Sequence, residues 1–394
     1  MQMFRTRNKI IYVLFLLLTF VAIVSGAFFS TRSKPQVQQN TTDQKIVSIP
    51  PAVCKNSSTV EYLHYKQLPE DQLRNNKFGI YIYAEVDKYF KLAEELVNSS
   101  GGDWGYVLIP FNVKDRDYTK WRNAFKQISS KHLIPIIQLW AVDPEDYKND
   151  TKESADFLDS FVWPIRERYI SVYNETNDAK FWNNKIDPAG YAKVLDYTIK
   201  EFKKQNSDFF IMNGAFNVSA PVSQDYMDSF TYMKIMNNEV PDIFEKLDGW
   251  ASHSYPQPNF SGNPKDTGRS SIRAYENELQ ELKTLGVKKD LPVFITETGW
   301  AHAEGNSVNY SYLEAQQVAD NYKTAYTDVW LKDDRVRAVI PFTIRYDPPF
   351  DHFSWLNQDN VPYKQYDVVK SIPKVAGVQE TLESGTVSQV GCPE

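Results

Sequence analysis

Two glutamates stand where carboxyl chemistry could be done. Glu175 sits in YISVYNETND, directly after Asn174, and Glu297 sits in PVFITETGW. His253 and Tyr255 lie between them along the chain, in SHSYP. A pair of carboxyl groups can divide two tasks when their surroundings push their pKa values apart. One stays protonated and hands its proton to a departing oxygen. The other stays ionised and attacks the carbon being released, or stabilises positive charge on it. Both tasks matter only if the two groups face each other across one bond, so the elements that carry them decide the reading. His132, His302 and His352 are scattered without metal-ligand spacing and read as loop or surface residues, so no metal or cofactor is implied.

Stepping outward along the chain, short apolar runs alternate with helical periods eight times. The strand candidates are 78–84, 106–110, 135–139, 169–173, 209–212, 249–253, 292–296 and 336–342. The helix after the fourth opens at Asp187-Pro188, a cap followed by proline in the first turn. Before the helix that follows the seventh, Ser311 and Glu314 have the spacing of a capping box. Strand-then-helix units in succession imply a parallel sheet with helical crossovers, and eight of them close into a (β/α)8 TIM barrel. The alternative, an open doubly wound sheet, often carries a glycine-rich first turn. Here the first strand ends in Tyr83-Ala84-Glu85, with no cradle for a phosphate.

A barrel of this kind places its site at the carboxyl ends of the strands. The fourth strand ends at Asn174-Glu175, the sixth at His253 with Tyr255 beyond it, and the seventh at Glu297. The third ends near Gln138 and Trp140, and the eighth leads to Arg345, Tyr346 and Trp355. Two glutamates on strands four and seven then face each other across the barrel mouth, the geometry that flanks a glycosidic bond.

With these motifs in order, the segment from about Phe78 to Ile372 resembles the retaining glycoside hydrolases of the barrel clan often called clan A. The resemblance implies that Glu175 is the general acid/base, Glu297 the nucleophile, and Asn174 a hydrogen-bond partner of the sugar 2-hydroxyl. It implies that His253 or Tyr255 holds the Glu297 carboxylate. Trp300, Trp140 and Trp355 are candidate stacking platforms for sugar rings, and they fit rim packing equally well. Many clan members carry Trp directly at the end of strand eight, whereas here the chain runs on through Ile344, Arg345 and Tyr346. β-Xylosidase-like, endoglucanase-like and β-1,3-glucanase-like branches stay open. So do two alternatives: transglycosylation at the same site, and a barrel that only binds carbohydrate.

The 394 residues are 14% aromatic and carry a formal net charge of −6, which argues against a dedicated nucleic-acid binder. Arg5, Arg7 and Lys9 precede an uncharged run from Ile10 to Thr31. Residues 1–32 are therefore expected to form a signal-anchor, with the remainder outside the cytoplasm; cleavage near Ser25, Gly26 and Ala27 would instead give a secreted chain. Residues 33–60 read as a polar linker, 61–377 as the barrel, and 378–394 as a polar tail. The only two cysteines, Cys54 and Cys392, flank the barrel segment and could pair there, or stay unrelated free thiols. The expected partners are a carbohydrate substrate and, through the N-terminal helix, a membrane. A monomer is expected.

Overall fold

Period-two alternation in the strands separates two apolar layers. In the strand over Gly105–Asn112, Tyr106 and Leu108 join one buried cluster while Val107 and Ile109 join another. The first cluster fills the inside of a barrel and the second lies between strands and helices. Strands buried on both faces are apolar throughout, which is why they read as continuous hydrophobic runs.

The computed structural model describes residues 59–220 and 222–388. Eight parallel strands form the barrel: β1 (Gly79–Tyr81), β2 (Gly105–Asn112), β3 (Leu133–Trp140), β4 (Arg168–Val172), β5 (Phe209–Asn213), β6 (Trp250–His253), β7 (Val293–Thr298) and β8 (Val336–Pro341). β1 to β5 pair in order, as do β6 to β8. Single parallel bridges close the ring, Met212 to Gly249 between β5 and β6 and Phe78 to Val339 between β1 and β8. The surrounding helices are α1 (Asp87–Val97), α2 (Tyr118–Ser130), α3 (Tyr147–Asp159), α4 (Pro188–Gln205), α5 (Ser229–Glu239), α6 (Ala274–Thr284), α7 (Ala315–Thr324) and α8 (Lys364–Ser371).

Inside the barrel, Tyr106, Tyr169, Phe210 and Phe294 pack edge to face or tilted, with Tyr169 and Phe294 centroids 5.1 Å apart. Below them Arg337 reaches Glu167 at 2.9 Å and the Tyr106 hydroxyl donates to Asn75 at 2.6 Å. The floor is thus closed by an ion pair and a hydrogen bond, and the mouth at the opposite end is left for the site.

The cap of α4 forms as the sequence predicts, with the Asp187 carboxylate accepting from the Gly190 N–H at 2.8 Å. The cap of α7 does not. Its N-cap is Glu314, boxed with Gln317, while Ser311 turns back onto Asn309. Ser311 and Glu314 satisfy the spacing, but the helix begins one residue after Glu314.

The polar flanks also differ from expectation. Thr59–Tyr65 and Leu382–Ser388 form an antiparallel ribbon with Thr59 opposite Ser388 and Tyr65 opposite Leu382. Strand structure therefore extends past 377 into the stretch read as tail, and starts within the stretch read as linker. Bridges Ile165–Thr381 and Arg74–Val378 fasten the returning chain beside the entry ends of β4 and β1. The apolar run 10–31, Cys54 and Cys392 lie outside the described residues. Among the described residues no helix is long and apolar enough to cross a membrane.

Candidate active site

Glu175 reaches the barrel mouth through an unusual stretch of backbone. Tyr173 and Glu175 both have positive φ, 72° and 38°. Side chains with a Cβ seldom adopt this region, and where they do the surroundings must hold them there. Gly214, just after β5, makes the room: a Cβ there would lie 2.5 Å from the Val172 carbonyl oxygen. The Tyr191 hydroxyl, from α4, donates to that carbonyl at 3.0 Å and accepts from the Gly214 N–H at 2.7 Å. The Glu175 N–H then donates to the Ala215 carbonyl at 2.9 Å.

Glu297 is positioned from β7. The Thr298 hydroxyl donates to the Ser254 carbonyl at 2.6 Å, tying the end of β7 to the end of β6. Gly299 has φ 151°, and a Cβ there would meet the Tyr322 hydroxyl at 2.5 Å. The glycine lets the chain swing Trp300 inward, behind the strand.

These elements bring Glu175, His253, Tyr255 and Glu297 together. His253 Nδ1 lies 2.8 Å from Glu175 Oε1 and 3.7 Å from Glu297 Oε2. The Tyr255 hydroxyl donates to Glu297 Oε2 at 3.1 Å. One oxygen of each carboxyl and one nitrogen of His253 all lie within 4.8 Å of one another. Among the described residues this is the one trio close enough to hold a cation, and hydrogen bonds already couple its members. Burial pushes the Glu297 carboxyl up to about 7, helped by the Glu175 charge and opposed by His253 and by the Tyr255 hydrogen bond. Burial works against a charged His253, but Glu297 and the bond to Glu175 outweigh it and raise its pKa. His253 and Glu297 thus act on each other's charge, each favouring the charged form of its partner.

A cavity of about 470 Å³ opens over this trio. Asn174 lines it, with its carbonyl oxygen accepting from Gln138 Nε2 at 3.0 Å, which leaves the amide N–H donors for a ligand. Trp140 also lines it, is 39% exposed, and meets Phe181 edge to face. Trp300 and Trp355 are not brought there. Both are fully buried and pack on Tyr322 from two sides, at 5.0 and 4.8 Å, and the Trp300 N–H donates to the Gly262 carbonyl. His302 and His352, expected in loops or on the surface, lie in the loops after β7 and β8 but are buried there and cross-link those loops through each other's backbone. His132 is exposed.

Sequence reasoning missed most of the aromatic wall. Tyr81 from β1, Phe342 and Phe353 beyond β8, and Phe260 beyond β6 face the cavity. Phe342 directly follows β8, so an aromatic ring stands at that strand's end without a tryptophan. Asp178 and Tyr226 were missed as well. Asp178 lies three residues past Glu175, is buried, and is held above the ordinary carboxyl range by burial and by the Glu175 charge. Its position on the same loop as Glu175 was the available signal.

No protein-family model matches the chain, and no curated protein matches it. Solved structures do share its architecture. A glucosidase from Croceicoccus marinus superposes with a TM-score of 0.54 at 11% identity, over 79% of this chain and 70% of its own. A family 51 α-L-arabinofuranosidase from Bifidobacterium longum gives 0.53 at 10% identity, over 80% and 76%. A fungal β-1,4-galactanase gives 0.51 at 13% identity, over 76% and 100%. Identities this low establish the fold: the chain is a (β/α)8 barrel with a carboxyl-lined mouth. What that mouth does is an argument from its chemistry.

Proposed function

We propose that the protein is a retaining glycoside hydrolase acting on β-linked oligo- or polysaccharides by double displacement. The carrying observation is the approach of Glu175 and Glu297, with one oxygen of each within 4.8 Å of the other. Retaining enzymes hold their carboxyl groups roughly 5–5.5 Å apart, and inverting enzymes about 6.5–9.5 Å to admit a water. Glu297, with Tyr255 donating to it, is the nucleophile, because that bond favours the ionised form. Glu175 protonates the departing glycosidic oxygen and then draws a proton from the water that releases the sugar. His253, 2.8 Å from Glu175, shares the proton between these steps. Asn174 binds the sugar 2-hydroxyl, and Trp140 offers a ring face to the chain of sugars. The structural neighbours, a glucosidase and a β-1,4-galactanase among them, lend support at the level of glycosidase activity.

The test is to screen the purified protein against aryl β-glycosides and cell-wall polysaccharides, with Glu297→Gln and Glu175→Gln alongside. Sugar release by the parent with retained anomeric configuration, lost in Glu297→Gln, is expected. No release from any substrate, with glycan binding intact in Glu297→Gln, would leave a barrel that only binds. Location belongs to the same proposal. The basic flank Arg5, Arg7 and Lys9 before the run Ile10 to Thr31 supports an anchor that keeps the barrel outside the cytoplasm, as a monomer. Proteolysis of intact cells should then digest the barrel domain; protection of that domain would reverse the orientation.

A further inference from the structure

The general acid of a glycosidase stands beside the leaving oxygen, so the walls built onto its own loop border the leaving group. Here that loop is braced. The buried Asn177 side chain donates to the carbonyls of Asn217 and Met227, both at 3.0 Å, and accepts from the Asn217 N–H at 3.0 Å. Asp178 and Tyr226 form an antiparallel bridge, and the Ala179 N–H donates to the Asp225 carbonyl at 2.9 Å. The loops after β4 and β5 are thus locked together into one wall.

That wall is polar where it meets the cavity. It carries the Asp178 carboxyl, the Tyr226 and Ser219 hydroxyls and the Asn217 amide, with the Gln257 amide of the loop after β6 beside them. These groups donate and accept hydrogen bonds in the mixed pattern that sugar hydroxyls require. Ser219 donates to the Arg269 carbonyl at 3.0 Å and Asp178 accepts from the Lys180 N–H at 2.9 Å, and an apolar small-molecule aglycone would cover the remaining donors and acceptors without pairing them, at a cost. The wall also does not end at the cavity. Asn217, Ser219, Tyr226 and Gln257 continue into an adjoining depression of about 420 Å³, bounded beyond by Asn259 and Ser270.

Resting on the glycosidase reading, we infer that this wall is a binding groove for a saccharide leaving group. The natural substrate is then a glycan chain, with sugar units on both sides of the bond that is cut, rather than a glycoside of a small apolar alcohol. Asp178 and Tyr226 would select for it.

The experiment compares kcat/KM for an aryl β-glycoside with kcat/KM for oligosaccharides of two to six units carrying the same terminal sugar. The protein is used as parent, Asp178→Asn and Tyr226→Phe. Asn keeps the acceptor that caps the Lys180 N–H, and Phe keeps the ring, so both changes spare the loop. Expected are a rise in parent kcat/KM with chain length, and a fall of about tenfold in the ratio of oligosaccharide to aryl-glycoside kcat/KM in each variant, mostly through KM. A second readout is the release of a 2-fluoro-glycosyl enzyme by an added acceptor sugar. Acceptor should speed release in the parent and do so less in the variants. A ratio that stays at the parent value, or no gain with chain length, overturns the inference while leaving aryl-glycoside hydrolysis as evidence for the glycosidase. Absence of hydrolysis of every substrate overturns the glycosidase reading itself.

Discussion

At Glu297 three neighbours compete over one proton. Burial and the Glu175 charge favour the neutral acid; His253 and the Tyr255 hydroxyl favour the anion. Removing the hydroxyl tips that balance. Tyr255→Phe should raise the Glu297 pKa, so the acidic limb of the pH–rate profile moves to higher pH. A hydrogen bond to a charged group is worth about 1.5–3 kcal/mol, which sets a loss in kcat/KM of roughly 10- to 150-fold. A lower rate with an unmoved limb would mean that Tyr255 acts otherwise. In the parent, the nucleophile must be ionised, so activity should fall as pH drops below about 7, where Glu297 takes up a proton. The residues of this cluster were legible because Asn-Glu, His-x-Tyr and Thr-Glu-Thr-Gly-Trp each end a recognisable strand. Trp300 and Trp355 were not, because spacing cannot say which way a side chain turns after a strand. Gly299 turns Trp300 into the packing around Tyr322. Trp300→Ala should accordingly cost about 3–5 kcal/mol of stability in a denaturant titration, as for a core aromatic.

Among the elements, the end of β4 carries the greatest dependence on neighbours. Its two positive-φ residues follow Val172, whose carbonyl the hydroxyl of Tyr191 in α4 ties to the Gly214 N–H. Tyr191→Phe leaves the buried Gly214 N–H without its acceptor. We expect a loss of about 1–3 kcal/mol in stability and a further fall in kcat at temperatures where the variant is fully folded, since Glu175 loses its brace. Unchanged kcat with reduced stability would restrict Tyr191 to a packing role. The eight strands were legible because burial on both faces makes each a short apolar run bounded by loop residues. The start of α7 was not, since Ser311 and Glu314 fit one motif in two ways. The ribbon was hidden for a different reason. Its strands are half polar, and the pairing of Tyr65 with Leu382 is invisible to any local pattern.

For the whole molecule, the ribbon means that the fold does not end with the eighth helix. Truncation after Gly377 removes Leu382–Ser388 and the Ile165–Thr381 bridge, and strips Tyr65 and its neighbours of their partners. The expected result is a lower Tm by thermal melt with the cavity over Glu175 and Glu297 still formed. Cys54 and Cys392 lie five residues before Thr59 and four after Ser388, which are paired. Extended chain spans at most about 3.3–3.6 Å per residue, so both ends have ample reach to meet. A disulfide between them, detected by thiol labelling before and after reduction, should add about 2–4 kcal/mol of stability. The ribbon has one more consequence. It brings the two ends of the described chain side by side, with Thr59 opposite Ser388. Whatever is joined to one end of the described chain therefore starts beside whatever is joined to the other.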